Sequence, residues 1–235
     1  METTTLSKLI TANHPYFNIW TRQLSEHLTA QYQPSTYDEE EHQRIFFATN
    51  ELLMGIARNF FTYGRFKDQW DTSKCSLHVF SQYLLLKSEK IDLEFQWGMD
   101  MNGFFIEANL TCTENLRYMT DDFWTAILAL KDLGKFEYIG SGGLNAQEKP
   151  FFENKTSTIF QIIRRFMLYQ MEQMMSPNTY QHSNLELGQF VIRWNFDTDW
   201  PTLLEKSCQS FKILYNLNYQ LWKITDLANK KLNNY

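Results

Sequence analysis

The sequence is poor in the residues that build cross-linked, metal-stabilised or disordered proteins. Its 235 residues include only three cysteines, five prolines and nine glycines. Cys75, Cys112 and Cys208 lie far apart, so they offer neither the paired spacing of a zinc site nor the density of a disulfide scaffold. The low proline and glycine content argues against a loop-rich or disordered chain. These absences predict a globular protein with reduced thiols, as is typical of the cytosol.

Basic clusters and long apolar runs are also missing. The net charge is −5 and the lysines and arginines are scattered, whereas a protein that binds duplex nucleic acid usually carries a basic stripe. No run approaches the roughly 18 apolar residues of a membrane helix, and the first residues lack the features of a signal peptide. We therefore expect a cytoplasmic protein without a membrane or nucleic-acid partner. A protein partner of basic charge and a homodimer stay open.

Long amphipathic helices are the first positive feature. An apolar stripe predicts a helix from about Asp38 to Tyr63, and the acidic residues of its first turn favour the positive end of the helix dipole. A second long helix is predicted from Asp199, as the N-cap, to about Lys230, with Pro201 in its first turn. Shorter helices are predicted at 3–12, at 16–31, between Thr120 and Gly134, and at 156–175.

A β-hairpin is the second positive feature. The stretch 90–112 alternates apolar and polar residues on both sides of Asn102-Gly103, a dipeptide suited to a type I′ turn because both central residues need positive φ. A slip of one residue would place every apolar side chain opposite a polar one. The apolar pairs predicted from this turn are Met101 with Phe104, Trp97 with Ala108, and Phe95 with Leu110.

Three more strands complete the predicted fold. One should run from about Leu77 to Leu86, after an irregular polar segment at 65–73, and two short ones should lie at 136–139 and 189–196. The order of elements predicts one α+β domain over residues 1–235. It consists of an antiparallel meander of about four to five strands, packed against amphipathic helices mainly on one face, with long helices towards both ends.

The polar face of the hairpin carries the candidate site. Asp92, Glu94 and Glu107 could bind a metal ion or perform acid–base chemistry, as paired carboxylates do in nucleases and glycosidases. A magnesium-dependent nuclease would also need a lysine nearby, and the residue two positions after Glu107 is Asn109. The alternatives are a solvated sheet face and an acidic surface that binds a basic partner.

The remaining motifs do not indicate catalysis. The glycines at 140–143 lack the Gly-Lys-Ser/Thr of a P-loop and the spacing of a dinucleotide site, and they predict a loop at 140–150. The five histidines form no metal-binding pattern. A Met-rich run at 167–175 predicts core packing, with an adaptable apolar surface as the alternative. Trp200 has no structural role in these patterns and is retained as a partner-binding candidate.

We therefore expect no catalytic residue, no metal ligand and no cofactor. The function predicted first is that of a cytosolic prokaryotic binding or inhibitor protein, similar in action to an immunity protein or an antitoxin, with an acidic surface for a protein partner. One alternative is a metal-dependent enzyme acting on a nucleic acid or another phosphate ester, and a second is a structural subunit of a homo-oligomer. The predicted contact residues are Asp92, Glu94, Glu107, Asn109 and Trp200.

Overall fold

The computed structural model describes residues 39–78, 81–139 and 187–232, together with residues 160–161, 163–164, 166–168 and 170–171 of a further helical segment. The predicted helices at 3–12 and 16–31 and the predicted loop at 140–150 lie outside these residues. The two ends of the predicted helix at 156–175 also lie outside them.

The fold is α+β, as predicted, with an antiparallel sheet and a long helix at each end of the described chain. The six strands follow the order β1-β2-β3-β4-β6-β5, and β1, β2 and β3 pair antiparallel in chain order. In sequence, the elements are α1 (Glu39–Gly64), β1 (Trp70–His78), β2 (Ser81–Ser88), β3 (Leu93–Asp100), β4 (Gly103–Asn109), a 3-10 helix (Thr113–Tyr118), α2 (Asp121–Ala129), a 3-10 turn (Leu130–Asp132), β5 (Lys135–Ile139), β6 (Gln189–Trp194) and α3 (Trp200–Leu232).

Strand β1 was not predicted from the sequence. The predicted single strand from Leu77 is in fact two strands, since β1 begins at Trp70 and pairs with β2. Its residues alternate between polar and apolar only from Lys74 onwards, and its register shifts between Asp71 and Lys74. β1 is the first strand in the sheet order, and a strand at a sheet edge tolerates polar residues and bulges. The prediction of an irregular segment as far as Ser73 was therefore wrong.

The β3–β4 turn lies one residue earlier than predicted. β3 ends at Asp100, Met101 and Asn102 form the turn, and β4 begins at Gly103. Of Asn102 and Gly103, only Gly103 has positive φ, at 125°, so the predicted type I′ turn at these two residues was wrong. The cause is local: the Asp100 Oδ1 accepts a hydrogen bond from the backbone N–H of Asn102 at 2.8 Å, which closes a turn around Met101.

The face assignment of the hairpin survives this shift. The rings of Trp97 and Phe104 stack at a centroid distance of 5.9 Å, which places the odd residues of β3 and the even residues of β4 on the same face. Met101 lies in the turn, so its predicted ladder pair with Phe104 was wrong. The predicted pair of Trp97 with Ala108 stays a prediction.

The chain divides into two compact units. The first comprises Met1–Ile106 and Arg193–Lys212, and the second comprises Glu107–Ile192 and Ile213–Tyr235. The prediction of a single domain stays a prediction. None of the helices in the described ranges combines the length and the apolar character needed to cross a membrane.

In the first unit, helices cover one face of the sheet. The Trp97 Nε1 donates a hydrogen bond to the Leu53 carbonyl of α1 at 3.1 Å. Phe211 of α3 lies 5.0 Å from Phe60 of α1 and 5.0 Å from Phe95 of β3, measured between ring centroids. All five side chains are fully buried, so this face forms the core of the unit.

The start of α3 follows its predicted cap. The Asp199 Oδ1 accepts a hydrogen bond from the Thr202 backbone N–H at 3.0 Å, which satisfies a donor that the first helical turn leaves free. Hydrogen bonding to Thr202 also lowers the pKa of Asp199. α2 begins after Thr120, as predicted, although the Thr120 side chain makes no cap hydrogen bond.

In the second unit, buried amides fix the 3-10 helix to α3. The Asn115 Nδ2 donates to the Leu221 carbonyl at 3.0 Å and to the Thr225 Oγ1 at 2.8 Å. The Thr111 backbone N–H donates to the Asn218 Oδ1 at 2.8 Å. Buried amides that are hydrogen-bonded in this way specify one packing arrangement.

Candidate functional site

The predicted carboxylates Asp92 and Glu94 lie on a face of the first unit where charges alternate across three strands. Lys87 of β2 pairs with Asp71 of β1 on one side and with Glu94 of β3 on the other. Directly opposed residues of neighbouring strands point to the same face of a sheet. The row therefore reads negative, positive, negative from β1 to β3.

Two further charges extend this row into a charged strip, which we define as Asp71, Lys74, Lys87, Asp92 and Glu94. The Lys87 Nζ lies 2.9 Å from the Asp92 Oδ1, and the Lys74 Nζ lies 4.0 Å from the Glu94 Oε1. The strip contains three carboxylates and two ammonium groups, so it keeps one net negative charge.

The ionisation of the strip follows its hydrogen bonds. The hydrogen bond with Asp92 raises the pKa of the Lys87 ammonium, and the charge of Asp92 adds to this shift. Two hydrogen bonds from Ser73 lower the pKa of Asp71. Lys87 and Asp71 are therefore both charged at neutral pH.

Asp92 is the most accessible carboxylate of the strip. It occupies the turn between β2 and β3 with φ of 48°, a left-handed conformation that aspartate tolerates better than most residues. Its side chain is 83% exposed. Glu94 follows it in β3 and is also exposed.

A second pair of charges lies near the other end of the same sheet face. The Arg193 Nη1 is 2.5 Å from the Asp100 Oδ2, and the two side chains are 15% and 16% exposed. The guanidinium also lies 5.3 Å from the ring centroid of Phe105, and Tyr83 packs on the same ring at 6.3 Å. This pair is far less accessible to solvent than the charged strip, and its geometry suits structural support.

The other predicted contact residues lie elsewhere. Glu107 is half-buried in β4 and Asn109 is exposed at the end of that strand; both belong to the second unit. Trp200 is the first residue of α3 and only 2% exposed, so it is a core residue in this structure. Of the five predicted residues, Asp92 and Glu94 are thus the two that the first unit brings together at its surface.

Lysines are the residues that sequence reasoning missed at this site. Lys74 and Lys87 neutralise most of the charge of the neighbouring carboxylates. Once β2 is paired with β3 around the turn at 89–92, Lys87 falls opposite Glu94, so the position of Lys87 could have been found from the register of these two strands. Lys74 could not be placed in the same way, because β1 was not predicted.

The described residues offer no assembled metal or nucleophile site. Within the described ranges, no three His, Cys, Asp or Glu side chains lie close enough to hold a metal ion. The three cysteines are free, as predicted, and burial raises the pKa of Cys75 and of Cys208, which disfavours the reactive thiolate. The metal-dependent alternative stays a prediction, which calorimetric titration with Mg²⁺ tests.

Comparisons with known proteins assign neither a family nor a function. No family model, no curated protein and no solved structure matches this chain.

Proposed function

We propose that the protein is a cytoplasmic binding protein of the inhibitor type, and that its charged strip contacts a protein partner with basic side chains. The observation that carries the proposal is the exposure of Glu94 in β3, a strand that is paired on both sides by β2 and β4, and of Asp92 in the turn just before it. A paired strand holds its side chains at fixed spacing. Charges that are held in this way can match charges on a partner surface.

The lysines of the strip are bound weakly enough to be replaced by basic groups of a partner. Solvent-exposed ion pairs contribute about 0–1 kcal/mol, because water and salt screen them. A basic group of a partner can therefore replace Lys87 beside Asp92, or Lys74 beside Glu94, at small energetic cost. In the free protein, the ion pairs with the two lysines would keep the carboxylates in position for binding.

A charge-neutralising double variant tests the proposal. Wild type and Asp92→Asn/Glu94→Gln would each be immobilised and exposed to a lysate of the native host. We expect wild type to retain one stoichiometric protein partner, and the double variant to bind it at least about tenfold more weakly, which corresponds to about 1.4 kcal/mol. Binding by wild type should also weaken as salt is raised, because ions screen exposed charges.

The control variant Glu51→Gln/Asp197→Asn removes the same number of charges from exposed positions outside the strip. It should bind like wild type. Failure to recover any stoichiometric partner would overturn the proposal. A partner that binds the double variant and wild type equally would show that the strip is not its contact surface.

A further inference from the structure

The second unit contains an open pocket of about 350 Å³ between α2 and the helical segment around residues 160–171. Sites for small molecules are usually concave, measure roughly 300–1,000 Å³ and combine an apolar lining with a few polar groups. The pocket lies at the lower end of this range. Its lining residues are Trp124, Phe160, Gln161, Ile163, Arg164 and Met167.

Aromatic and aliphatic side chains provide the apolar part. The ring centroids of Trp124 and Phe160 lie 5.8 Å apart at an interplanar angle of 51°. Ile163 is almost completely buried, and Met167 is half-buried. Methionine adapts its shape and makes favourable contacts with aromatic rings. A flat apolar group can therefore contact both rings and Met167.

Arg164 provides the charge. Residues three and four positions apart on a helix are neighbours on its surface, so Arg164 lies beside both Gln161 and Phe160. The Arg164 side chain is exposed, and no described residue forms an ion pair or a side-chain hydrogen bond with it. None of the lining residues that the structure describes is a carboxylate that could balance this charge.

We propose that this pocket binds a small aromatic carboxylate. Its ring would pack against Trp124, Phe160 and Met167. Its carboxylate would accept hydrogen bonds from the Arg164 guanidinium, whose planar arrangement of donors suits two carboxylate oxygens. The Gln161 amide is a further donor next to Arg164. This inference does not depend on the charged strip, which belongs to the first unit.

Two probes with the same ring system separate the charge from the apolar contact. Naphthalene-2-carboxylate and the neutral naphthalene-2-methanol would each be titrated into the full chain by calorimetry. We expect the carboxylate to bind with a Kd of about 1 mM, which is usual for a ligand of this size. The alcohol should bind about tenfold more weakly, because it lacks the charge that Arg164 recognises.

Variants locate the binding. Arg164→Gln should remove the difference between the two probes, whereas the control Arg58→Gln, which changes an exposed arginine of α1, should retain it. The absence of saturable binding by either probe would overturn the proposal. Equal affinities of wild type for the acid and the alcohol, or undiminished carboxylate binding in Arg164→Gln, would also overturn it.

Discussion

The two faces of the sheet in the first unit are built by the same strands but are held together differently. On the helix-covered face, Phe95, Trp97 and Phe211 are fully buried and contact one another or other rings. On the opposite face, Lys87 and Glu94 remain in contact with solvent and make exposed ion pairs. Successive residues of a strand point to opposite faces, so a few adjacent residues contribute to both environments.

This difference separates the residues that stabilise the first unit from the charged strip that we propose for partner binding. Burying a large apolar side chain stabilises a fold by about 1.5–3 kcal/mol, whereas an exposed ion pair contributes about 0–1 kcal/mol. The helix-covered face therefore accounts for most of the stability of the first unit. Substitutions in the charged strip should therefore leave the sheet on which it lies folded. Substitutions on each face test whether the helix-covered face supplies most of this stability.

The largest effect should follow from removing the ring of Phe211. This ring contacts Phe60 and Phe95 at 5.0 Å, and its loss would leave a cavity that close-packed neighbours fill only in part. Phe211→Ala should lower the free energy of unfolding by about 3–5 kcal/mol, measured by urea denaturation. Phe47→Ala is the matched control, because Phe47 of α1 is 61% exposed. Similar losses in the two variants would contradict a core centred on Phe211.

The elements with strong local patterns could be predicted from the sequence. The apolar alternation of β3 and β4 assigned Trp97 and Phe104 to one face correctly, even though the turn was misplaced, because a shift of the turn by one residue at each end preserves the alternation. The long helices were predicted to within a residue or two, since Gly64 and Asp199 mark their ends.

Features that depend on tertiary contacts could not be predicted in this way. The first half of β1 lacks an apolar alternation, so the start of this strand is recognisable only through its pairing with β2. The Asp100–Arg193 pair joins residues 93 positions apart, and no local signal connects them. The charged strip was predicted in part, because two of its carboxylates were identified while its lysines required the register of three strands.

Alanine substitutions at two glycines, Gly103 and Gly55, should give the second-largest change in stability. A Cβ added at Gly103 would collide with the Trp194 carbonyl oxygen, and φ of 125° disfavours any other residue there. Gly103→Ala should therefore cost at least about 1–3 kcal/mol. Gly55 of α1 is exposed and nothing lies within 4 Å of its would-be Cβ, so Gly55→Ala should stabilise the protein by roughly 0.5–1 kcal/mol. Thermal unfolding of both variants measures the difference, and shifts of the same sign would contradict the close approach at Gly103.

The Asp100–Arg193 pair should have an intermediate effect. Its side chains are about one-sixth exposed, so the loss should lie between those of a surface pair and a buried pair, at about 1–2 kcal/mol. Asp100→Asn keeps an oxygen to accept the hydrogen bond from the Asn102 N–H but removes the charge. A double-mutant cycle with Arg193→Gln isolates the pair itself. A coupling energy indistinguishable from zero would show that this pair contributes as little to stability as the exposed ion pairs of the charged strip.

The smallest effect should come from the charged strip itself. Lys87→Gln removes the central ammonium, yet the pair that it forms with Asp92 is exposed, so the urea midpoint at neutral pH should be unchanged within error. Because the pKa of Lys87 is raised above its ordinary value of 10.5, any stabilisation by the pair is fully present below pH 10.5. It is lost as the pH rises through the raised pKa. Any small difference between wild type and variant should therefore vanish at the most alkaline pH. If Lys87→Gln destabilised the protein at neutral pH as much as Asp100→Asn, the strip would be part of the folding core, and the separation between the two faces would fail.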